Sequence, residues 1–320
     1  MELVLYTSVV LIAISFSYRT TPIGNRAAFD IFVVAGFFVL STSVRLAEFD
    51  ADIQTYAQRM EETALNFYYL REPVVWLGHR LLFGITRSHV MTLVASDVIF
   101  FSLVVRSFRR FGLPQYAIIA FIAFFPFILG MQNVYRQWVS SCLAIYALSL
   151  ADRHLGRAAL AFLLAVLSHN VAVLFFPIVF SRLSSSLRLS ALMVGTLLVP
   201  AALLLGAETK SESSTGLRLE HFYLFLISMA AVATFSLRTM TWKSWTLTAC
   251  VFSTYVVAWS TATLSSAGSE RVALFALTLL YPSLVLSIED NLVDKAAARI
   301  ALSGLGFLPV ILFDVRTFII

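Results

Sequence analysis

Charge is scarce in this chain. Asp, Glu, Lys and Arg together make up 13% of its 320 residues, whereas soluble domains carry about 25%. That deficit excludes an ordinary water-soluble globule. Cysteine is scarcer still. Cys142 and Cys250 both fall inside apolar runs, which gives neither a disulfide framework nor a metal-binding spacing. The chain has no Walker loop, no dinucleotide glycine pattern and no zinc motif. It shows no internal repeat, so an inverted-repeat transporter has no support in the sequence. The net charge of +5 is not a nucleic-acid footprint, because the positive residues sit in short loops between apolar runs. Orientation in a bilayer produces that distribution.

What abounds is apolar. Hydrophobic residues are 59% of the chain and the mean hydropathy is +0.86. The runs are separated by short charged loops with no soluble domain between them. The expected fold class is all-α, a polytopic helical membrane protein whose residues 1–320 form a single integral membrane domain. The first run, 3–15, imitates the core of a signal peptide. It lacks a basic leader and a small-residue cleavage site, so it reads as a retained first span.

Charge then sorts the loops. Basic clusters at Arg19 and Arg26, at Arg106, Arg109 and Arg110, at Arg153 and Arg157, at Arg182 and Arg188, and at Arg238 and Lys243 are assigned to the cytoplasm. Segment 45–72 sets three arginines against six acids and reads as an outer amphipathic loop; 207–220, rich in Ser, Thr and charge, reads as a second outer loop. Parity demands two exceptions. Run 73–85 carries His79 and Arg80 and is expected to lie in the interface or re-enter. Run 158–180 has Ser168, His169 and Asn170 at its middle and is expected to break into two half-helices at His169. About ten crossings remain, at 2–17, 27–44, 89–105, 114–131, 136–151, 189–206, 220–236, 245–262, 272–288 and 297–313, with both termini outside. Gly130 is expected to end one helix.

Against that frame of apolar helices, Asn133, Arg136 and Gln137 stand out, flanked by the apolar runs 116–129 and 138–150. At i, i+3 and i+4 they share a face on one helix. A charge at membrane depth costs about 2.5–3.5 kcal/mol or more, so Arg136 must face protein, water or a ligand. The plainer reading pairs it with a buried acid to fix helix packing. Its planar fork also suits carboxylate or phosphate oxygens. Asp52, Tyr56 and Arg59 form one polar face of a surface helix whose other face is Ile53, Ala57, Met60 and Ala64. Glu72-Pro73 is a helix-start signal. His169 is either a hydrogen-bonded core histidine or a proton acceptor. Arg271 sits at an outer helix start beside Glu270, as a salt bridge or a snorkelling cation. Asp97 lies mid-span beside Ser96, and its partner is an arginine or serine on another helix.

Taken together, Arg45, then Asp52-Ile53-Gln54-Thr55-Tyr56, Glu72-Pro73, Asn133-Val134-Tyr135-Arg136-Gln137, Ser168-His169-Asn170 and Arg271 resemble the EpsG-like family of Wzy-type polymerases, which build exopolysaccharide and O-antigen from repeat units. The resemblance spans about residues 40–285. Asp50-Ala51 stands where members usually show Gly-Thr, and Asn170-Val171 where Ser-Ala is usual. The resemblance implies an inner-membrane glycosyltransferase with a GT-C-like fold, acting at the periplasmic face. It implies undecaprenyl diphosphate-linked oligosaccharide as donor and acceptor, the lipid bilayer as surroundings, a chain-length regulator as a further partner, and no nucleic acid. It implies no cofactor, neither nucleotide sugar nor metal. The expected catalytic residues are His169, Asp52 and Arg136, with Arg136 holding the diphosphate and His169 favoured slightly over Asp52 as base. Arg45, Tyr56, Glu72, Asn133, Gln137 and Arg271 are expected to bind substrate. The competing function is a transporter or flippase of lipid-linked glycans that breaks no bond.

All these outer residues must open to one side of the membrane. In a background lacking Cys142 and Cys250, Asp52→Cys and Arg136→Cys are expected to react with an impermeant thiol reagent added from the same side. Labelling from opposite sides would separate them into two unrelated features.

Overall fold

A computed structural model describes residues 2–18, 24–46, 51–62, 67–180, 185–206, 245–291 and 295–307. Among these, every regular element is a helix, as the all-α expectation requires. In chain order they are α1 (Glu2–Ser17), α2 (Arg26–Leu46), α3 (Ala51–Glu61), α4 (Pro73–Thr86), α5 (His89–Phe111), α6 (Gln115–Ile122), α7 (Phe125–Asn133), α8 (Tyr135–Leu150), α9 (Leu155–Ser168), α10 (Phe176–Phe180), α11 (Ser185–Gly206), α12 (Trp245–Thr263), α13 (Ser266–Asn291) and α14 (Lys295–Gly304). Short 3-10 turns cover Phe67–Arg71, Asn170–Phe175 and Leu305–Phe307. The predicted span 220–236, the whole loop 207–220, and the end of the span 297–313 lie outside the described residues.

Among the described residues, four helices are long and apolar enough to cross a bilayer: Arg26–Leu46, His89–Phe111, Arg188–Leu205 and Ser266–Asp290. A fifth span exists if α6 and α7 count as one. These helices bear out the helical membrane class, and they leave the expected number of about ten crossings unconfirmed. Helices α1 and α8 are each 16 residues long, which is a rise of about 24 Å against a hydrocarbon core of about 30 Å. Helix α4, with 14 residues, is shorter still and fits the non-crossing segment expected there. The stretch 114–131 is not one helix. Its halves α6 and α7 bend by 46° at the break between them, where Pro126 opens the second half.

Two breaks decide where the polar residues go. Helix α7 runs through Gly130 to Asn133 and ends at Val134, whose φ of −132° and ψ of 55° are not helical. Gly130 therefore does not end a helix. It makes room instead, because a Cβ there would stand 3.1 Å from the Trp138 ring. Asn133 and Arg136 consequently lie on different helices and do not share a helical face. The second break falls where it was expected. Helix α9 stops at Ser168, and His169 is extended, with φ −160° and ψ 127°.

The core around these breaks is aromatic and continuous. Phe101, Phe121, Phe124, Phe125, Phe127 and Tyr281 are fully buried. Helices α8 and α9 pack against each other, and each buries small residues, Ala144 and Ala147 on α8 and Ala158, Ala161 and Ala165 on α9, of the kind that let helix backbones approach. Tyr281 on α13 donates to the Ala117 carbonyl on α6 at 2.9 Å.

Within this apolar interior lies one charged knot. Arg45 Nε donates to Asp97 Oδ2 at 2.9 Å and Nη2 to Oδ1 at 3.2 Å, while Ser41 Oγ donates to the same carboxylate at 2.7 Å. Asp97 thus has both an arginine and a serine as partners. Arg45 Nη2 also donates to the Met131 carbonyl at 3.0 Å, one of the acceptors that a helix end leaves without an intrahelical partner. The pair closes the end of α7.

Breaking one half of a buried pair leaves an uncompensated charge and costs about 3–5 kcal/mol. Asp97→Ala is expected to lower the thermal unfolding midpoint of the detergent-solubilised protein sharply. The double variant Arg45→Met with Asp97→Leu should recover most of that loss. Equal instability of the single and double variants would count against the knot as a paired unit.

Candidate functional site

Arg136 is delivered by the first turn of α8, directly after the Val134 break. Glu72 immediately precedes α4, with Pro73 in the first turn, and its side chain makes no capping bond. The carboxylate is thereby available to Arg136, and Arg136 Nη1 donates to Glu72 Oε2. Arg136 Nε donates to Tyr56 Oη at 2.9 Å, and the guanidinium lies 5.8 Å from the centroid of the Trp76 ring, within cation–π range. Three segments distant in sequence, α3, the start of α4 and the start of α8, meet at one cation.

Tyr56 reaches Arg136 because α3 is amphipathic in a different register from the one expected. Ile53, Tyr56, Ala57 and Met60 are buried together, the i, i+3, i+4, i+7 stripe of a packed helix face. Tyr56 belongs to that face, which corrects its placement on the polar side. Asp52 lies in the first turn of the same helix, and its side chain falls outside the described residues. The Tyr56 ring packs 5.1 Å from Trp76 and 6.0 Å from Tyr135. Tyr135 in turn stacks 5.2 Å under the Arg45 guanidinium. This aromatic layer, which the sequence reading missed, separates Arg136 from the buried Arg45–Asp97 knot.

Gln137 Nε2 donates to the main-chain carbonyl of Arg271 on α13. Its Oε1 is buried and has no hydrogen-bond partner among the described residues. The amide orientation is secure, since a carbonyl accepts only from the NH₂ end. Arg271 is half-buried, and Asn133, at the end of α7, is half-buried across the break from Arg136.

His169 joins the same region from the second break. Ser140, one turn beyond Arg136, donates to the Ala165 carbonyl at 2.7 Å, and that carbonyl also accepts from the His169 N–H at 3.0 Å. One shared oxygen sets the distance between the two breaks. Arg136 and Arg271 are the charges that act on the imidazole. His169 Nδ1 accepts from the Val171 N–H at 3.2 Å and so caps the following 3-10 turn. With Nδ1 used as an acceptor, the neutral ring carries its proton on Nε2.

Exposure divides Arg45 from Arg136. The Arg45 side chain is 2% exposed and fully engaged by Asp97, whereas Arg136 keeps 25% of its side chain accessible. Of these two, Arg136 is the one placed to meet a ligand, and Arg45 is tied into the helix packing. Among the described residues no three His, Cys, Asp or Glu side chains gather as a metal site would require.

Burial raises the Glu72 carboxyl above its ordinary range, and the facing Arg136 opposes that rise. A folded-state value above the unfolded one gives a contribution to stability that is full at low pH and lost as pH rises through the folded value. Glu72→Gln is expected to remove that part of the slope. Unfolding temperature measured from pH 4 upward should fall less in the variant than in the parent protein over the carboxylate range. Parallel curves would show that Glu72 is not the group responsible.

A model of the EpsG family matches residues 28–209, more than half of the chain. No curated protein matches the chain, and no solved structure matches it. The matched stretch holds Arg45, Asp52, Tyr56, Glu72, Asn133, Arg136, Gln137 and His169, and stops short of Arg271. On that match, and on its helical, strongly apolar architecture, the chain belongs to the EpsG family.

Proposed function

We propose that this protein is a membrane glycosyltransferase. It joins polyprenyl diphosphate-linked oligosaccharide repeat units at the periplasmic face of a bacterial inner membrane. Family membership supports a role in making polysaccharide. The observation that carries the finer reading is the convergence on Arg136, a partly accessible guanidinium held by Glu72 and Tyr56 from two other helices. A cation kept at the edge of an apolar bundle, fixed but not sealed, suits an anionic group attached to a lipid.

The step is a displacement at the anomeric carbon of the donor glycan. A hydroxyl oxygen of the acceptor glycan forms the new bond to that carbon. The bond from the carbon to the diphosphate oxygen breaks, and its electron pair leaves on the lipid diphosphate. Negative charge therefore grows on the leaving group. Arg136 meets it with charge-assisted hydrogen bonds that strengthen as the charge develops, and Arg271 adds positive potential nearby. Glu72 holds the guanidinium in place before the donor arrives.

The cap on His169 changes its assignment. Its Nδ1 is taken by the Val171 N–H, so the neutral ring offers Nε2–H and has no free lone pair for the acceptor's proton. His169 then donates a hydrogen bond to the departing diphosphate, and the base falls to Asp52 at the start of α3. Glu72 is unsuited to that role because Arg136 occupies it. Gln137 Oε1, buried and without a partner among the described residues, accepts from a sugar hydroxyl, and Asn133 lines the same approach.

Purified protein incubated with undecaprenyl diphosphate-linked repeat is expected to yield a ladder of longer glycans. Translocation of the lipid without any ladder would favour a transporter. Arg136→Ala should lower turnover by about 10²–10³-fold, the usual cost of one donor to a developing anion. His169→Ala should lose a similar factor yet keep the acidic limb of the pH profile, and Asp52→Asn should abolish that limb. Survival of the limb in Asp52→Asn, with its loss in His169→Ala, would return the base to the histidine.

A further inference from the structure

A second lipid-facing feature lies at the other end of α2 and α5, and the site around Arg136 does not involve it. The two helices run antiparallel: Arg45 meets Asp97 near one end, and Asp30 meets Arg109 at 3.3 Å near the other. Between them at that second end is an open groove of 930 Å³, a volume in the range of ligand sites, about 300–1,000 Å³. Its walls are Ile31, Val34, Ala35, Phe38 and Val98, and its mouth is Arg106, Arg109 and Arg110. All three arginines are exposed. Arg109 pairs with Asp30, and among the described residues no acid pairs with Arg106 or Arg110.

The geometry points to an anionic phospholipid held in this groove, with one acyl chain along the α2–α5 seam and its phosphate at Arg106, Arg109 and Arg110. Depth and charge both select that occupant. From Asp30 to Phe38 the groove follows α2 for about 12 Å, close to one leaflet of a core about 30 Å thick. The cations stand at the leaflet's water edge, and the apolar wall begins directly beneath them. Three arginines against one aspartate leave net positive charge at the mouth, and arginine forks match phosphate oxygens. A free phosphate would leave the apolar wall uncovered, and a neutral lipid would leave the arginines unmatched. Basic pockets between membrane helices take anionic headgroups by this same pairing of charge and depth.

The intact protein in mild detergent, titrated with phosphatidylglycerol or phosphatidylcholine and read by native mass spectrometry, tests the assignment. Phosphatidylglycerol is expected to bind in preference. Arg106→Gln should weaken it about fivefold, and the triple Arg106→Gln, Arg109→Gln, Arg110→Gln variant about a hundredfold. Ala35→Phe, which fills the seam and leaves every charge in place, should also lose the lipid. The triple Arg→Lys variant should retain most of it. Equal binding of the two lipids, or phosphatidylglycerol binding unchanged in both the triple Gln variant and Ala35→Phe, overturns the proposal. Displacement of phosphatidylglycerol by equimolar undecaprenyl phosphate would overturn the choice of lipid and assign the groove to the polyprenyl carrier.

Discussion

An arginine in an apolar bundle must be paired, and the pairing of Arg45 with Asp97 is the constraint on which the other polar positions depend. Neither charge is accessible to water, so the desolvation of both is offset by their mutual geometry, by Ser41 and Met131 and by the Tyr135 ring under the guanidinium. The contact to Met131 matters most for function. It satisfies one of the carbonyls left open where α7 stops. Without that acceptor closed, the Val134 break would expose backbone polar groups inside hydrocarbon, a cost of several kcal/mol for each group.

The break in turn sets the direction of Arg136. Had α7 continued into α8, Asn133, Arg136 and Gln137 would have lined one face of a single helix. Because the chain turns at Val134, Arg136 instead points toward α3 and α4, where Tyr56 and Glu72 reach it. The second break, at His169, is tied to the first through the carbonyl of Ala165. Two interrupted helices, each costly alone, thus support each other across the α8–α9 seam. Irregular backbone at membrane depth is tolerated where it is buried in protein or lines a cavity, and both breaks lie at the polar cluster.

The division of labour between the two arginines follows from burial. Arg45 is sealed under the Tyr135 ring and acts on the scaffold. Arg136, above the same aromatic layer, keeps part of its surface open. The Asp30–Arg109 contact at the far end of α2 and α5 mirrors the Arg45–Asp97 contact in sequence order but not in environment. One lies in a dry interior and binds tightly, while the other lies at a wet rim, where an exposed pair contributes little and leaves its neighbours Arg106 and Arg110 facing solvent.

Composition alone dictates the helical membrane class, because scarce charge and long apolar runs leave the backbone to satisfy its own hydrogen bonds within each segment. The sequence also marks the residues of interest: Arg136, Glu72, Tyr56 and His169 are polar groups in apolar or membrane-adjacent stretches, where each needs a reason to exist. The break at His169 was legible because three polar residues interrupt one apolar run. Helix lengths were not legible, since apolar composition does not reveal that α1 and α8 stop after 16 residues or that α6 and α7 are bent. The pairing of Arg45 with Asp97, the inward face of Tyr56 and the separation of Asn133 from Arg136 came from packing in three dimensions. Local periodicity assumes an unbroken helix, and the two breaks are set by partners far away in the chain: an arginine 86 residues from Met131 and a serine 25 residues from Ala165.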